Sequence, residues 1–463
     1  MRSANTPRLR LVFYGDDFTG STDALEVLTA AGLRCALFLV PPSPELLEEL
    51  GGFDAIGIAG DSRALSNAEM DEVLPDLFEA IKRLSPDLVH YKVCSTFDSA
   101  PDVGSIGHVI ELASRAFGVK GVPIVAGNPA LGRYCVFGNL FALSKTDHCV
   151  HRIDRHPVMR AHPITPMGEA DLSVHIGQQK HLSIAKIDIL QLDQTADLTF
   201  LVSQASLSHD SVLIDGTTTA HMTLAGKVLT EISSNAAPLF VVGSSGVEYG
   251  LTQHWHSVGL IDAYQTQVTA LQPTRQVLVI SGSASPLSRV QIDTAISSGF
   301  VELAVDAAAI LAGSHKGGMV QDVVATAVAH LKSGRSVLIH TAKGPDDPRI
   351  EQMIEAMTAK GLRRDEAKIR GGKQLAVEMG YIVLDILKAY PLERLVISGG
   401  DTSSQITKIL APDALVIKSD LSPGAPLCQV RSNKPYLDNL EIALKGGQMG
   451  DQDYFVKALT GRS

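Results

Sequence analysis

Two adjacent carboxylates, Asp16 and Asp17, follow an apolar run, Leu11-Val-Phe-Tyr14, across a single Gly15. Thr19, Gly20, Ser21 and Thr22 come next, hydroxyls and a flexible backbone suited to the start of a helix. Ala24, Leu25, Val27, Leu28 and Ala31 then recur at helical spacing, and Gly32 closes the helix. The pattern predicts a strand, a loop and a helix, with the acids at the carboxyl end of the strand. In open α/β sheets that end is where ligands bind. A carboxylate there can take a proton from an attacking hydroxyl or help to hold Mg²⁺. It can also do no more than cap the helix. The sequence does not divide these jobs between Asp16 and Asp17.

Two cations sit at comparable places. Arg63 follows the apolar stretch 55–59 within Asp61-Ser62-Arg63, where it can fork onto a carboxylate or phosphate or simply be solvated. Lys92 lies in the apolar stretch 87–93, and a buried ammonium needs a partner or a task. Asp98 is the structural candidate partner, and a substrate carboxylate the functional one. Ser95, Thr96, Asp98 and Ser99 make a polar loop behind Lys92. Gly104, Ser105 and Gly107 then open a helix whose free N–H groups would favour an anion. Cys94 has no visible base beside it and reads as a packing thiol rather than a nucleophile.

The second half carries loops of small residues. Residues 281–288 include Ser283 and Ser285 before a helical pattern, which suits phosphate oxygens. Strand 394–397 ends in Ser398-Gly399-Gly400-Asp401-Thr402, where two glycines let backbone close on a ligand and Asp401 with Thr402 caps a helix. Gly446 and Gly447 follow Lys445 near the end. Three such loops in one domain fit a nucleotide site. No GxxxxGK[ST] loop occurs: Gly226-Lys227 precedes Val228, and Gly372-Lys373 precedes Gln374.

The elements that must position these residues are alternating short apolar runs and helical patterns. Strands are expected at 11–14, 35–40, 55–59, 87–93, 122–126, 211–214 and 239–242, the last leading to Gly243-Ser244-Ser245-Gly246. Further strands are expected at 276–280, 301–305, 336–340, 394–397 and 414–417. Residues 132–167 lack periodicity and hold His148, His151, His156 and His162; their spacing fits no zinc pattern, so they read as a shaped loop over the substrate site. With 463 residues, two domains are expected, with a polar linker at 263–275. A net charge of −10 argues against a nucleic-acid partner. Five scattered cysteines without motif spacing imply reduced thiols and a cytoplasmic home. No apolar run is long enough to span a membrane, and the N-terminus lacks a signal-peptide core.

Four blocks together resemble the four-carbon acid sugar kinase family, which includes threonate, erythronate and 3-oxo-tetronate kinases. They are Asp16-Asp17-Phe-Thr-Gly20, Lys92-Val-Cys-Ser-Thr-Phe-Asp98-Ser99, Ser398-Gly-Gly-Asp-Thr402, and Pro423-Gly-Ala-Pro-Leu427 with Lys445-Gly-Gly447. The resemblance implies an α/β chain of two domains, each a mostly parallel sheet flanked by helices, with the active site in the cleft between them. It implies a sugar-acid-binding domain over 1–265 and an ATP-binding domain over 266–463. Asp17 or Asp16 would be catalytic, and Arg63, Lys92, Ser95, Thr96 and Asp98 would face the sugar acid. Ser283, Ser285, Gly399, Gly400, Asp401, Thr402, Gly446 and Gly447 would face ATP, with Mg²⁺ as its counter-ion. The partners implied are a small sugar acid and ATP, with a homodimer as the expected assembly. The Cys94–Ser99 wording is similar to the 3-oxo-tetronate branch, while residues 100–105 depart from the forms of any one branch. Two competing readings are a non-catalytic sugar-acid sensor and an aspartyl-type phosphatase. The second needs an Asp two residues after its nucleophile, where this chain has Phe18 or Thr19.

Overall fold

The computed structural model describes residues 8–144, 147–161, 165–233, 238–262, 269–313 and 317–462. The chain separates into two compact units, Met1–Gln267 and Val268–Ser463. The boundary expected at 265/266, and residues 263–268 of the expected linker, lie outside the described residues.

The first unit carries β1 (Leu11–Gly15), β2 (Cys35–Phe38), β3 (Ala55–Ala59), β4 (Leu88–Lys92), β5 (Val122–Val125), β6 (Arg133–Val136), β7 (Asn139–Leu143), β8 (Val150–Arg152), β9 (Ile184–Ile187), β10 (Ser211–Ile214) and β11 (Leu239–Gly243). Its main sheet is parallel, in the order β2-β3-β1-β4-β11-β5-β10-β9. Helices cover both faces of such a sheet, so its strands read as unbroken apolar runs. Leu11, Val12 and Phe13 are 0% exposed, and each contributes about 2 kcal/mol by burial. A Cβ on Gly57 would overlap the Phe13 ring, so glycine is what admits the phenyl group there. The helix Asn67–Leu84 begins with a capping box between Ser66 and Glu69 and buries Met70, Leu74, Phe78 and Ile81 on one face.

Residues 132–167 differ from expectation. Rather than a loop, β6, β7 and β8 form a small antiparallel sheet. Two signals were hidden. Phe141 and Leu143 are apolar on the outward side of β7, which erases the alternation. The two-residue turn carries Phe137 and Gly138, both at positive φ, where Asn-Gly would have announced a hairpin. Among the described residues, the histidines there form no metal-like cluster. His151 Nε2 meets Asp147 Oδ2 at 2.8 Å, and His156 Nδ1 accepts from the Val158 and Met159 N–H groups. His162 lies outside the described residues.

The second unit carries β12 (Val277–Ser281), β13 (Val301–Ala304), β14 (Val337–His340), β15 (Arg394–Ser398), β16 (Ala414–Ser419), β17 (Leu427–Arg431) and β18 (Glu441–Lys445). The order is β13-β14-β12-β15-β18-β17-β16, parallel except at β17, which runs against both neighbours. Each unit is therefore a mostly parallel sheet flanked by helices. No helix of the described residues is long and apolar enough to cross a membrane.

Candidate functional site

Register places the strand ends of the first unit in one row. Gly15 lies beside Ala59 and Lys92, Lys92 beside Gly243, and Gly243 beside Val125. The loops that follow these residues share the carboxyl edge of the sheet. Asp16 continues the pairing, its N–H donating to the Lys92 carbonyl at 2.9 Å. Arg63, on the short turn after β3, forks onto Asp16: Nε donates to Oδ2 at 3.0 Å and Nη2 to Oδ1 at 2.6 Å. Its Nη1 lies 3.1 Å from Asp17 Oδ2. Burial raises the pKa of Asp16, while the Arg63 cation pulls against that rise.

Asp17 is the more open of the two acids, its side chain 34% exposed against 6% for Asp16. Its Oδ1 accepts the Gly20 N–H at 2.8 Å, so Asp17 does cap the helix Phe18–Ala30. Capping occupies one oxygen and leaves the other toward Arg63 and the edge. A carboxylate in that setting can accept a proton from a bound hydroxyl.

Lys92 is buried at the end of β4. A Cβ on Gly20 would overlap both its Nζ and Asp17 Oδ1, so the helix start leaves room for the ammonium only because residue 20 is glycine. Burial opposes the Lys92 charge, but the carboxylates of Asp23, Asp17 and Asp16 outweigh it and raise the pKa. Asp98 instead accepts from Thr96 Oγ1 at 2.5 Å and Thr165 Oγ1 at 3.3 Å. Ser95 is half-buried in the same turn. Cys94 is a packing thiol: burial, with Asp98 behind it, pushes it up to about 11. The helix Ile106–Phe117 offers less to an anion than its sequence suggests. Its His108 N–H goes to Ser105 Oγ and its Gly107 N–H to Gln179 Oε1.

The second unit repeats the device. His340, Ser281, Ser398 and Lys445 lie in register at adjacent strand ends. The loops after β12, β15 and β18 pack on one another. A Cβ on Gly282 would overlap Thr402 Oγ1, and one on Gly447 would overlap Ser283 Oγ. Gly399 has φ +119°, and a Cβ there would stand 3.2 Å from Ser283 N. Ser285 caps the helix Pro286–Ser297, and Gly399 opens the helix Gly400–Leu410, whose first turn holds Asp401 and Thr402. Thus all eight residues expected to face ATP are brought together. The buried hydroxyls of Ser281 and Ser398 have no hydrogen-bond partner among the described residues.

A cavity of about 350 Å³ opens beside these loops. Gly282 and Thr402 line it at one end, and Met353, Leu375, Ala376 and Met379 make it apolar. A cavity of this kind has room for a flat aromatic base, and N–H groups of glycine loops can bind phosphates. Sequence reasoning missed its walls, which come from the helices Pro348–Thr358 and Arg364–Ala389. The available signal was Gly371-Gly372 inside a 26-residue helix, where two glycines are unfavourable unless space is needed. Lys445 was also not assigned. It is 0% exposed, donates to the Gly446 carbonyl at 3.0 Å, and burial lowers it to about 8.

For Mg²⁺ the fit is limited. Among the described residues no three His, Cys, Asp or Glu side chains gather as a metal site. Both oxygens of Asp16 are held by Arg63. The donors present suit an ion carried in on nucleotide phosphates with one or two carboxylates, not a dedicated cage.

Known proteins align along nearly the whole chain. A sugar-binding N-terminal domain matches residues 11–251, and a nucleotide-binding C-terminal domain matches residues 278–455. A 3-oxo-isoapionate kinase of Paraburkholderia graminis is 39% identical over 454 residues, covering 98% of this chain and 95% of that one. A 3-oxo-tetronate kinase of Pseudomonas savastanoi is 27% identical, covering 99% of this chain and 98% of that one. A solved structure from Haemophilus influenzae superposes with a TM-score of 0.71 at 21% identity, covering 96% and 98% of the two chains, which speaks to the fold alone.

Proposed function

We propose, for a chain that belongs to the four-carbon acid sugar kinase family and is a sugar-acid kinase, that its substrate is a 3-oxo sugar acid of the 3-oxo-isoapionate type. The observation that carries the choice of substrate is the 39% identity to the 3-oxo-isoapionate kinase, against 27% to a 3-oxo-tetronate kinase. The acid would bind at the carboxyl edge of the first unit, and ATP at the loops of the second. Asp17 would accept the proton of the attacking hydroxyl as its oxygen bonds to the γ-phosphorus and ADP leaves. Arg63 would hold Asp16 and Asp17 in place for that step. The N–H groups after Gly282, Gly399 and Gly446 would cradle the phosphates, and the Met353–Met379 slot would take the adenine. Mg²⁺ on the phosphates would neutralise charge developing in transfer. A cytoplasmic location fits five cysteines that are all free thiols.

The direct test is ADP release with 3-oxo-isoapionate, 3-oxo-tetronate, threonate and erythronate as acceptors. We expect the highest kcat/KM with 3-oxo-isoapionate. Equal or higher values with 3-oxo-tetronate would overturn the choice of substrate, and release with none of the four would overturn the acid-binding role.

Two predictions concern the nucleotide. A side chain at Gly372 would enter the slot, yet its Cβ meets nothing within 4 Å, so the helix should tolerate it. Gly372→Leu is expected to raise the KM for ATP by about tenfold or more while the KM for the acid holds. An unchanged KM for ATP would place the base elsewhere. Lys445 gives a pH signature. Below about 8 it is a cation, and above that it is neutral. Phosphate binding favours the cation, so the KM for ATP should rise as pH climbs from 7.5 to 9.5, and Lys445→Met should flatten that rise. A wild-type KM for ATP that is flat over this range would remove Lys445 from phosphate contact.

A further inference from the structure

Of the two cations expected to read the substrate carboxylate, Arg63 is already ion-paired, and the charge of Lys92 is favoured by acids of the chain itself. A different guanidinium stands at the same edge without a carboxylate. Arg133 begins β6, and its backbone pairs with Asn128 in both directions, at 2.9 and 3.0 Å. Asn128 lies three residues beyond the end of β5, which runs beside β11 and so near the end of β4. Arg133 Nη1 donates to the carbonyls of Leu131, Gly132 and Leu143. Its Nε is buried and has no partner among the described residues. The Nε–Nη2 side is the one by which Arg63 grips Asp16, and on Arg133 no acceptor of the described residues meets it. The groups that favour the Arg133 charge are Cys94 and Tyr134, and a thiol pushed to about 11 is uncharged at neutral pH.

Asn128 supplies the second observation. It is 1% exposed, and its Nδ2 donates to Ser245 Oγ at 2.9 Å. Its Oδ1 is buried without a partner among the described residues. Ser245 stands at the start of the helix Gly246–Ser257, whose N-terminal partial charge favours an anion. A buried amide edge and a buried guanidinium edge left unpaired would each carry a desolvation penalty with no compensation. Both are accounted for if a ligand bearing a carboxylate and a hydroxyl sits between them.

We propose that Arg133 and Asn128 form the subsite that reads the carboxylate end of the sugar acid: Arg133 Nε and Nη2 grip the carboxylate, and Asn128 Oδ1 accepts a hydroxyl from the adjoining carbon. This deepens the reading given above and rests on it. Arg63 and Lys92 then serve to hold the acids of the phosphoryl-transfer end, and the substrate lies between two separately built ends.

The test compares an acid with a polyol. In the wild type, the KM is measured for whichever acid of the four-member panel turns over, together with the inhibition constant of the polyol of the same carbon skeleton, which lacks the carboxylate. Arg133→Lys keeps a cation but loses the fork, and Asn128→Asp keeps the shape but adds a repelling charge. Each is expected to raise the KM for the acid by about 10- to 100-fold, the scale of a lost charge-assisted contact. The KM for ATP, the melting temperature and the polyol inhibition constant should stay near wild type. A wild-type KM for the acid in both variants overturns the subsite alone. A polyol constant that weakens in step with the acid also overturns it, because a loosened hairpin would hit both ligands. Absence of turnover with every acid in the wild type overturns the underlying reading, and the subsite with it.

Discussion

Asp17→Asn lowers kcat by about 10²-fold or more while the fold and the KM for ATP stay close to wild type, the range expected for a lost general base. The substitution isolates charge from structure. Asn is as good a helix cap as Asp, and its Oδ1 can still accept the Gly20 N–H that Asp17 accepts at 2.8 Å. The helix Phe18–Ala30 should therefore start at the same place, and thermal melting should show it. What disappears is the basic oxygen on the more open acid of the pair. Asp16 is poorly placed to substitute, since Arg63 holds both its oxygens. Steady-state kinetics at saturating ATP decide the matter. Normal turnover by Asp17→Asn would mean that the proton goes elsewhere and that Asp17 is a cap only.

Lys92→Met destabilises the protein by about 3–5 kcal/mol, the scale for removing one partner of a buried charge cluster. For a unit of this size that corresponds to a fall in melting temperature on the order of 10 °C. The reason is the company Lys92 keeps. Asp16, Asp17 and Asp23 all favour its cation, and Asp16 is itself buried, so methionine leaves Arg63 as the one cation offsetting Asp16 and Asp17 among the described residues. The pH dependence follows from the signs. In the wild type, Lys92 has a pKa raised above its ordinary 10.5, so its stabilisation is present below that value and is lost only as pH rises through the raised one. In the variant, the penalty comes from ionised carboxylates. Asp16 already has a raised pKa in the folded protein, so the penalty shrinks as pH falls through that raised value. Melting curves of both proteins at pH 7.5 and pH 4.5 test this. A melting temperature equal to wild type at pH 7.5, with a raised KM for the acid, would show that Lys92 reads the substrate rather than its own acids.

Much of the architecture was legible in the residues. The strands that lead to Asp16 and Arg63, and those that carry Lys92, Ser281 and Ser398, are parallel and buried. They appear in the sequence as unbroken apolar runs that end in polar or glycine-rich turns. Local chemistry was legible for the same reason: Asp17, Ser285 and Gly399 sit where a strand hands over to a helix, and that handover is a matter of a few consecutive residues. Antiparallel β6, β7 and β8 escaped, because Phe137 stands at the hairpin turn and Phe141 and Leu143 face outward.

The sequence by itself determined two α/β halves, the acid pair after β1 and the glycine loops of the second half. Tertiary structure alone decided who pairs with whom. That Arg63 serves Asp16, that the charge of Lys92 is favoured by Asp23, Asp17 and Asp16, and that Met353 and Met379 wall a cavity all depend on the proximity of residues dozens of positions apart. So does the pairing of Asn128 with Ser245, two residues 117 positions apart. Propensity and capping act over a few residues, and so they are written locally. Electrostatic partnership depends on distance in space and on burial, and neither exists until the sheet has set its strand order.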